Sequence, residues 1–331
     1  MPINSPWKAP LRNAWKSLST TMLFGCLLCC FLPNLSSADD RTVARAERPA
    51  PGTITQQALP KRASATGSLF RGLTAQETGI DFENPIDTNH PMKRLYHSGF
   101  VCGGIAVGDL NNDGKPDIFL NSGPRPNRLY LQDSKLEFRD ATEAAGLAES
   151  VDKWSTGVTM VDVNNDGNLD LFICNYDSPN QLYLNQGDGT FSKPADTGLD
   201  VSDASLAASF ADYDNDGDLD CYLLTNRYYR ANGRPTGAPA KMQGSVAVVL
   251  KEYQQYYRIK QEGAKKFTIE EYGRADRLFR NNGDGAFEEV TEASKIAGIG
   301  HGLSMMWWDY DSDGWVDICL LYTSPSPRDR G

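Results

Sequence analysis

Histidine is scarce in this chain of 331 residues, which contains three: His90, His97 and His301. The sequence also lacks a Gly-x-Ser-x-Gly elbow, a Walker phosphate-binding loop and a His-Glu-x-x-His zinc motif. These are the patterns by which serine hydrolases, phosphate-loop NTPases and zinc proteases are usually recognised. We therefore expect a protein that is not an enzyme.

Basic clusters and long apolar segments are lacking as well. The formal net charge is −10, whereas binding to nucleic-acid phosphates requires clustered cations. Beyond the N-terminal region no run of 18 uninterrupted apolar residues occurs, so no membrane-spanning helix is expected there. The composition argues against a nucleic-acid partner and against a membrane span after signal cleavage.

The N-terminus has the pattern of an export signal. Three basic side chains precede an apolar run at 22–32, and the small residues Ser36-Ser37-Ala38 follow. We predict a signal peptide over 1–38, with an uncleaved anchor as the alternative, and a secreted, periplasmic or cell-surface location. Residues 39–66 are rich in Ala, Arg, Pro and Thr without periodicity, which predicts a disordered tether.

Seven cysteines are present, but three of them belong to the predicted signal peptide. Cys102, Cys174 and Cys221 form no Cys-x-x-Cys or Cys/His pattern. We expect these three to be buried, reduced thiols, with a disulfide as the alternative.

A nine-residue segment rich in aspartate occurs four times, at 109–117, 162–170, 212–220 and 309–317, here called loops 1 to 4. The first three begin 53 and 50 residues apart, and the last begins 97 residues after the third because of an insertion at about 227–274. An apolar run precedes each loop and another follows it. In the first three repeats, two further runs of apolar residues follow, a third and a fourth. Four short strands in a period of about 50 residues are typical of a β-propeller blade.

The run before each loop contains a small residue five positions ahead of the leading aspartate: Gly104, Gly157, Ala207 and Ser304. The innermost strands of a propeller converge on its axis, where large side chains would clash. The sequence therefore predicts an all-β fold with these runs as the inner strands.

The four loops have the oxygen-rich pattern that calcium requires. Aspartate or asparagine occupies positions 1, 3 and 5, glycine occupies position 6 and aspartate occupies position 9. Ca²⁺ takes six to eight oxygens, including a backbone carbonyl near position 7. An EF-hand is excluded because position 12 is apolar in every loop, and plain Asx-turns are the remaining alternative. The candidate metal ligands are Asp109, Asn111, Asp113, Lys115 and Asp117; Asp162, Asn164, Asp166, Asn168 and Asp170; Asp212, Asp214, Asp216, Asp218 and Asp220; and Asp309, Asp311, Asp313, Trp315 and Asp317.

These repeats resemble the FG-GAP, or VCBS, repeat of integrin-α-like propellers, and the segment from Leu182 to Phe191 is similar to bacterial relatives of cartilage acidic protein. The resemblance implies four-stranded blades, seven in a complete ring, with Ca²⁺ between the first two strands of a blade. It also implies a role in adhesion or extracellular recognition. We expect residues 67–318 to form an incomplete arc of about three to four blades.

The C-terminal segment departs from the repeat. Residues 319–331 resemble a translated sequencing adaptor, and we expect them to be foreign to the protein.

The insertion carries tyrosines and basic residues, which are favoured in binding sites. Antiparallel strand order predicts that it lies opposite the metal loops. We consider it a candidate surface for an extracellular protein or carbohydrate, with packing across its own blade as the alternative. An alternative function for the chain is that of an accessory propeller domain in a larger secreted enzyme. The basic and tyrosine residues in question are Tyr228, Tyr229, Arg230, Tyr253, Tyr256, Tyr257, Arg258, Lys265 and Lys266.

Overall fold

The computed structural model describes residues 70–97, 102–148, 153–233, 235–261, 266–271, 273–283, 285–296 and 300–323. The predicted signal peptide and tether lie outside these residues. The described helices are short: α1 (Ala75–Thr78) and two 3₁₀ segments, Lys93–His97 and Lys251–Tyr253. Among the described residues, no helix has the length and apolar character needed to cross a bilayer.

Strands account for most of the remaining ordered structure, and they follow the predicted repeat. The first repeat contains β1 (Gly103–Gly108), β2 (Asp117–Ser122), β3 (Arg128–Ser134) and β4 (Glu137–Asp140). The second contains β5 (Trp154–Val161), β6 (Asp170–Pro179), β7 (Gln181–Asn185) and β8 (Phe191–Ser192). The third begins with β9 (Ser202–Ala211) and β10 (Asp220–Thr225), and its insertion adds β11 (Ala240–Gln243), β12 (Val246–Val249), β13 (Tyr257–Gln261) and β14 (Phe267–Glu271). It then continues with β15 (Arg277–Asn281) and β16 (Phe287–Glu289), before β17 (His301–Trp308) and β18 (Asp317–Thr323) begin a fourth repeat.

Neighbouring strands within each repeat pair antiparallel. The first blade has the order β1-β2-β3-β4, and in the third blade β10 pairs with both β9 and β15. In the insertion, β11 pairs with β12 and β13 with β14, giving two hairpins. The architecture is that of an incomplete β-propeller, which confirms the predicted fold class.

The second and third blades are joined, which the repeat did not predict. Their long strands β6 and β9 pair with each other, with Tyr176 opposite Ala204 and Pro179 opposite Ser202, and Tyr176 also lies opposite Trp154 of β5. Strand β6 continues past Tyr176, its last residue opposite β5, as far as Pro179, and β9 supplies hydrogen-bonding partners for this extension. The extension therefore fuses two blades into one sheet at the end opposite the loops.

The inner strands approach one another closely at the predicted small residues. A Cβ atom on Gly157 would lie 2.6 Å from the carbonyl oxygen of Leu206 and 3.2 Å from the Cα of Ala207. A Cβ on Gly104 would lie 3.4 Å from the Cα of Gly157. The packing requirement inferred from the sequence is thus present between β1 and β5 and between β5 and β9.

The hydrophobic core lies between blades. Phe119 and Leu129 of the first blade share a buried cluster with Leu171 and Tyr183 of the second. The next cluster joins the second and third blades in the same way, and contains the reduced thiols of Cys174 and Cys221. Burial of side chains of this size contributes about 1.5–3 kcal/mol each, so each blade depends on its neighbour for stability.

Trp154, the first residue of β5, lies in the core. Its side chain is 1% exposed and contacts the rings of His90 and Tyr96, with centroid separations of 5.0 and 5.1 Å. These two residues belong to the segment that precedes β1. The segment therefore covers the end of the second blade that lies away from the loops.

Strand β18 continues to Thr323, past the boundary expected at residue 318. Its residues pair with β17, and the Tyr322 hydroxyl donates to Asp276 Oδ2 at 2.7 Å, beside the Tyr222 hydroxyl at 3.0 Å. The strand begins with aspartate followed by consecutive apolar residues, as its predecessors do, and its pairing with β17 continues across residue 318. A foreign origin for residues 319–331 stays a prediction, and residues 324–331 lie outside the described structure.

The fourth blade exposes apolar side chains on one face. Along β17, Met305 and Trp307 pack towards the third blade, whereas Met306 and Trp308 point outward and are 47% and 52% exposed. Strand β1 similarly exposes Ile105. Contiguous exposed apolar surface of this kind favours self-association.

We expect the double substitution Met306→Thr and Trp308→Thr to reduce self-association, because it removes apolar surface while keeping residues suited to a strand. Light scattering across a concentration series provides the measurement. Val246→Thr, at a single residue of the insertion that is 61% exposed, is the control and should leave association unchanged. If both variants self-associate as strongly as the parent chain, the exposed face of β17 does not drive self-association.

Candidate metal centres

All four loops adopt the same backbone conformation. Position 4 has a positive φ in each loop, between 57° and 63°, and is occupied by Asn112, Asn165, Asn215 and Ser312. The glycine at position 6 has φ of 81° to 98°. A Cβ atom at these glycines would meet no atom within 4 Å, so glycine is required by the backbone angle and not by space.

The leading aspartate of each loop accepts two backbone hydrogen bonds. In loop 3, Asp212 accepts from the amides of Asp216 at 3.0 Å and Gly217 at 3.1 Å. The corresponding pairs occur in the other three loops. These bonds fold each loop around the carboxylate at position 1, so the turn is formed by the chain itself.

The aspartate at position 9 connects its loop to the blade. Asp220 accepts from the amide of Tyr213 in the loop at 3.1 Å and from the amide of Asn281 on β15 at 2.9 Å. Asp117 and Asp170 make the same pair of bonds, and all three side chains are fully buried. Burial raises the pKa of both Asp170 and Asp220 to about 6.

Loop 4 lacks half of this connection. Asp317 accepts from the amide of Tyr310 at 2.9 Å, but the described residues of this repeat include no third strand to donate a second bond. Asp317 is exposed as a consequence.

Loops 3 and 4 bring three carboxylates together. Oxygens of Asp212, Asp214 and Asp216 lie within 4.8 Å of one another, and so do oxygens of Asp309, Asp311 and Asp317. In loop 3, Asp214 Oδ1 is buried and accepts no hydrogen bond from the described residues. Burial and the neighbouring carboxylates raise the pKa of Asp214. A buried anionic oxygen without a donor is costly, and a cation placed among these carboxylates would satisfy it.

Loops 1 and 2 are less acidic at position 3. There Asn111 and Asn164 each accept from the position-5 amide and donate to the position-5 carboxylate. In loop 1, the Lys115 ammonium also donates to Asp113 Oδ2 at 2.8 Å, and this bond lowers the pKa of Asp113. These loops still present oxygen ligands, but loop 1 already contains a competing cation.

The candidate residues at position 7 have a second role for their side chains. Asn168 Oδ1 accepts from Asn112 Nδ2 of the preceding loop at 2.8 Å, and Asp218 Oδ1 accepts from Asn165 Nδ2 at 2.8 Å. This arrangement leaves the backbone carbonyl at position 7 as the group for a metal, as the loop pattern predicts.

Two residues outside the predicted set also contact the loops. Asn185 and Asn281 end the third strands of their blades, and each donates to carbonyls in two successive loops. Both asparagines are visible in the sequence as part of the repeat. Each follows an apolar run, in Leu-Tyr-Leu-Asn and Leu-Phe-Arg-Asn, and stands two residues before a Gly-Asp-Gly segment.

The insertion lies at the end of the third blade opposite the loops, because it follows the last residue of β10. Its Arg230 guanidinium lies 5.3 Å from the ring centroids of Tyr256 and Tyr257 and is hydrogen-bonded to Glu271. Arg274 lies 4.5 Å from the ring of Tyr228. These side chains therefore pack against one another within the insertion. Lys265 lies outside the described residues.

The comparisons with known proteins agree with this geometry. The FG-GAP-like repeat family matches residues 109–173 and 162–223, which include the first three loops. The chain therefore carries FG-GAP-like repeats.

Curated relatives share the same region. Cartilage acidic protein 1 of Homo sapiens is 25% identical over 226 residues, which cover 66% of this chain and 28% of that protein. The Mus musculus protein is 24% identical over the same length with the same coverage, and the Xenopus tropicalis protein is 28% identical over 147 residues, covering 41% of this chain and 23% of that protein. The chain is homologous to these proteins and spans about 28% of the length of the human and mouse relatives.

We expect Asp220→Asn to destabilise the protein by about 1–3 kcal/mol even in EGTA. The substitution replaces one buried acceptor oxygen by a donor that faces a backbone N–H. Denaturant unfolding followed by circular dichroism measures the effect. Asp216→Asn is the matched control, because its exposed side chain can still accept from the Asp218 amide. An equal loss of stability in both variants would show that the two hydrogen bonds of the buried Asp220 contribute no more than the bond of the exposed Asp216.

Proposed function

We propose that this chain is an exported, calcium-binding β-propeller segment that serves as an adhesion, recognition or scaffold module. The observation that carries the proposal is the buried oxygen of Asp214, which lacks a donor and lies among the carboxylates of loop 3. The same loop conformation occurs four times, so we extend the proposal to one Ca²⁺ for each loop.

The chemistry of the donors favours calcium. Each loop offers carboxylate and backbone carbonyl oxygens, the first three loops add side-chain amide oxygens, and none contains a histidine or cysteine. Soft and borderline metals prefer nitrogen and sulfur ligands, and Mg²⁺ demands near-ideal octahedral geometry. Ca²⁺ accepts a larger and more flexible set of oxygens.

The proposed role of the ions is structural. The four loops contain 15 carboxylates, and four divalent ions would neutralise most of the formal charge of −10. Each loop joins the inner strand of a blade to the next strand, so an ion there would hold the two strands in register. The acidity of the chain is then explained without an acidic surface for partners.

Recognition would use the end of the arc opposite the loops. The insertion lies there, and its first hairpin exposes Met242 and Val246, which are 54% and 61% exposed. The partner class that we propose is an extracellular protein or carbohydrate. Export is supported by the N-terminal signal pattern, and the relatives are named for cartilage, an extracellular tissue.

We expect Ca²⁺ to raise the midpoint of thermal unfolding and excess EGTA to lower it. At a free concentration about 100 times Kd, each site adds roughly 2.7 kcal/mol of stability. Scanning calorimetry in calcium, in magnesium and in EGTA makes the comparison, with magnesium expected to have the smaller effect. A midpoint that is the same in calcium and EGTA would refute the proposal.

We also expect loops 3 and 4 to bind calcium more tightly than loops 1 and 2, because they carry aspartate at position 3. Asp214→Asn should weaken one site, and Asn164→Asp, the opposite change at the same loop position, should strengthen another. Isothermal titration calorimetry on the two variants measures both shifts. The reverse order of affinities would count against this assignment of ligands.

A further inference from the structure

We infer that the loops are coupled in chain order, so that loops 1, 2 and 3 bind calcium cooperatively whereas loop 4 binds independently. The inference rests on the proposed calcium binding. Asn185 and Asn281 are the positioning residues that carry it, and Asn112 and Asn165 provide a second link between loops.

Asn185 holds two loops with one amide group. Its Nδ2 donates to the carbonyl of Leu110 in loop 1 and to the carbonyl of Leu169 in loop 2, both at 2.9 Å. Its backbone N–H donates to Asp170 Oδ1 at 2.8 Å. The side chain is 2% exposed, so water cannot readily replace either bond if one loop moves. Displacing a loop would leave a buried polar group unpaired.

Asn281 repeats the arrangement one blade further along. Its Nδ2 donates to the carbonyl of Val163 in loop 2 at 2.8 Å and to that of Leu219 in loop 3 at 3.2 Å. The side chain is 1% exposed. Loop 2 is therefore tied to both of its neighbours.

A second link lies on the outer side of the loops. Asn112 and Asn165, at position 4, donate to the side chains of Asn168 and Asp218 at position 7 of the next loop. Position 7 is the residue whose carbonyl is the proposed ligand. Ordering this residue around an ion would therefore also order the preceding loop.

Loop 4 is not connected in this way. Its position 7 is Trp315, whose indole has no acceptor atom. Among the described residues, Asn215 of loop 3 makes no hydrogen bond to loop 4, unlike Asn112 and Asn165 in the two preceding loops.

Cooperativity follows from the cost of ordering. An ion that binds one loop also fixes the asparagine amide that this loop shares with its neighbour, so the neighbour loses less conformational freedom when its own ion binds. The effect is reciprocal, and couplings of this kind typically change affinity by about 5-fold or more.

The test compares Asn165→Gly with Asn215→Gly. Both residues occupy position 4, with φ of 57° and 58°, and glycine keeps this conformation while removing the side chain. Calcium is titrated by isothermal calorimetry into protein stripped with EGTA. We expect Asn165→Gly to weaken binding at the coupled sites by about 5-fold and to lower the Hill coefficient, whereas Asn215→Gly should titrate like the parent chain.

The outcomes separate this inference from the proposed function. Calcium binding that is identical in the parent chain and both variants, or equally weakened in both variants, would overturn the coupling alone. A parent chain that binds no calcium would overturn the coupling together with the proposed function. Thermal unfolding in EGTA verifies that the variants fold alike, and Asn112→Gly makes the same test between loops 1 and 2 should Asn165→Gly not fold.

Discussion

The buried carboxylate at loop position 9 is the interaction on which the arrangement of each blade depends. In the first three repeats it accepts one hydrogen bond from its own loop and one from the third strand. A loop rich in like charges would otherwise open away from the sheet. Because the carboxylate is fully enclosed, its two donors cannot be exchanged for water, and the loop and three strands form one unit.

A second constraint comes from the axis of the arc. The inner strands approach so closely that a Cβ atom on Gly157 would lie 3.2 Å from the Cα of Ala207, and one on Gly104 would lie 3.4 Å from the Cα of Gly157. This approach brings successive loops side by side, close enough for one asparagine amide to reach two of them. The contact between loops is thus a consequence of small residues located five positions away in sequence.

Most of the fold could be predicted from the sequence because the determining signals are local and repeated. The Asp-x-Asx-x-Asp-Gly turn, the small residue before it and the short apolar runs on either side each fix a short-range geometry. The fusion of the second and third blades could not be predicted in the same way. It depends on Tyr176 and Ala204, which lie far apart in the chain and carry no pairing signal.

The candidate site was predictable to a similar extent. Loop positions 1, 3, 5 and 9 were identified by residue type, whereas the second role of Asn168 and Asp218 depends on a neighbouring repeat. The aromatic and basic residues of the insertion show the limit of composition as a guide. The preference of tyrosine and arginine for binding sites is the same preference that packs Arg230 against Tyr256 and Tyr257.

The position of the insertion explains how a repeat of this kind can vary without losing its loops. Strand β10 begins at loop 3 with the buried Asp220 and ends at Thr225, where Thr225 and Asp276 are hydrogen-bonded across the gap that the insertion occupies. The buried Asp276 takes the place of Asn127 and Asn180 in the earlier blades, which bond to the same strand end. The two hairpins of the insertion therefore leave the hydrogen bonding between the second strand and the residue before the third strand unchanged. The insertion is thus accommodated at the end opposite the loops, where it does not alter the hydrogen bonds that Asp220 makes to loop 3 and β15.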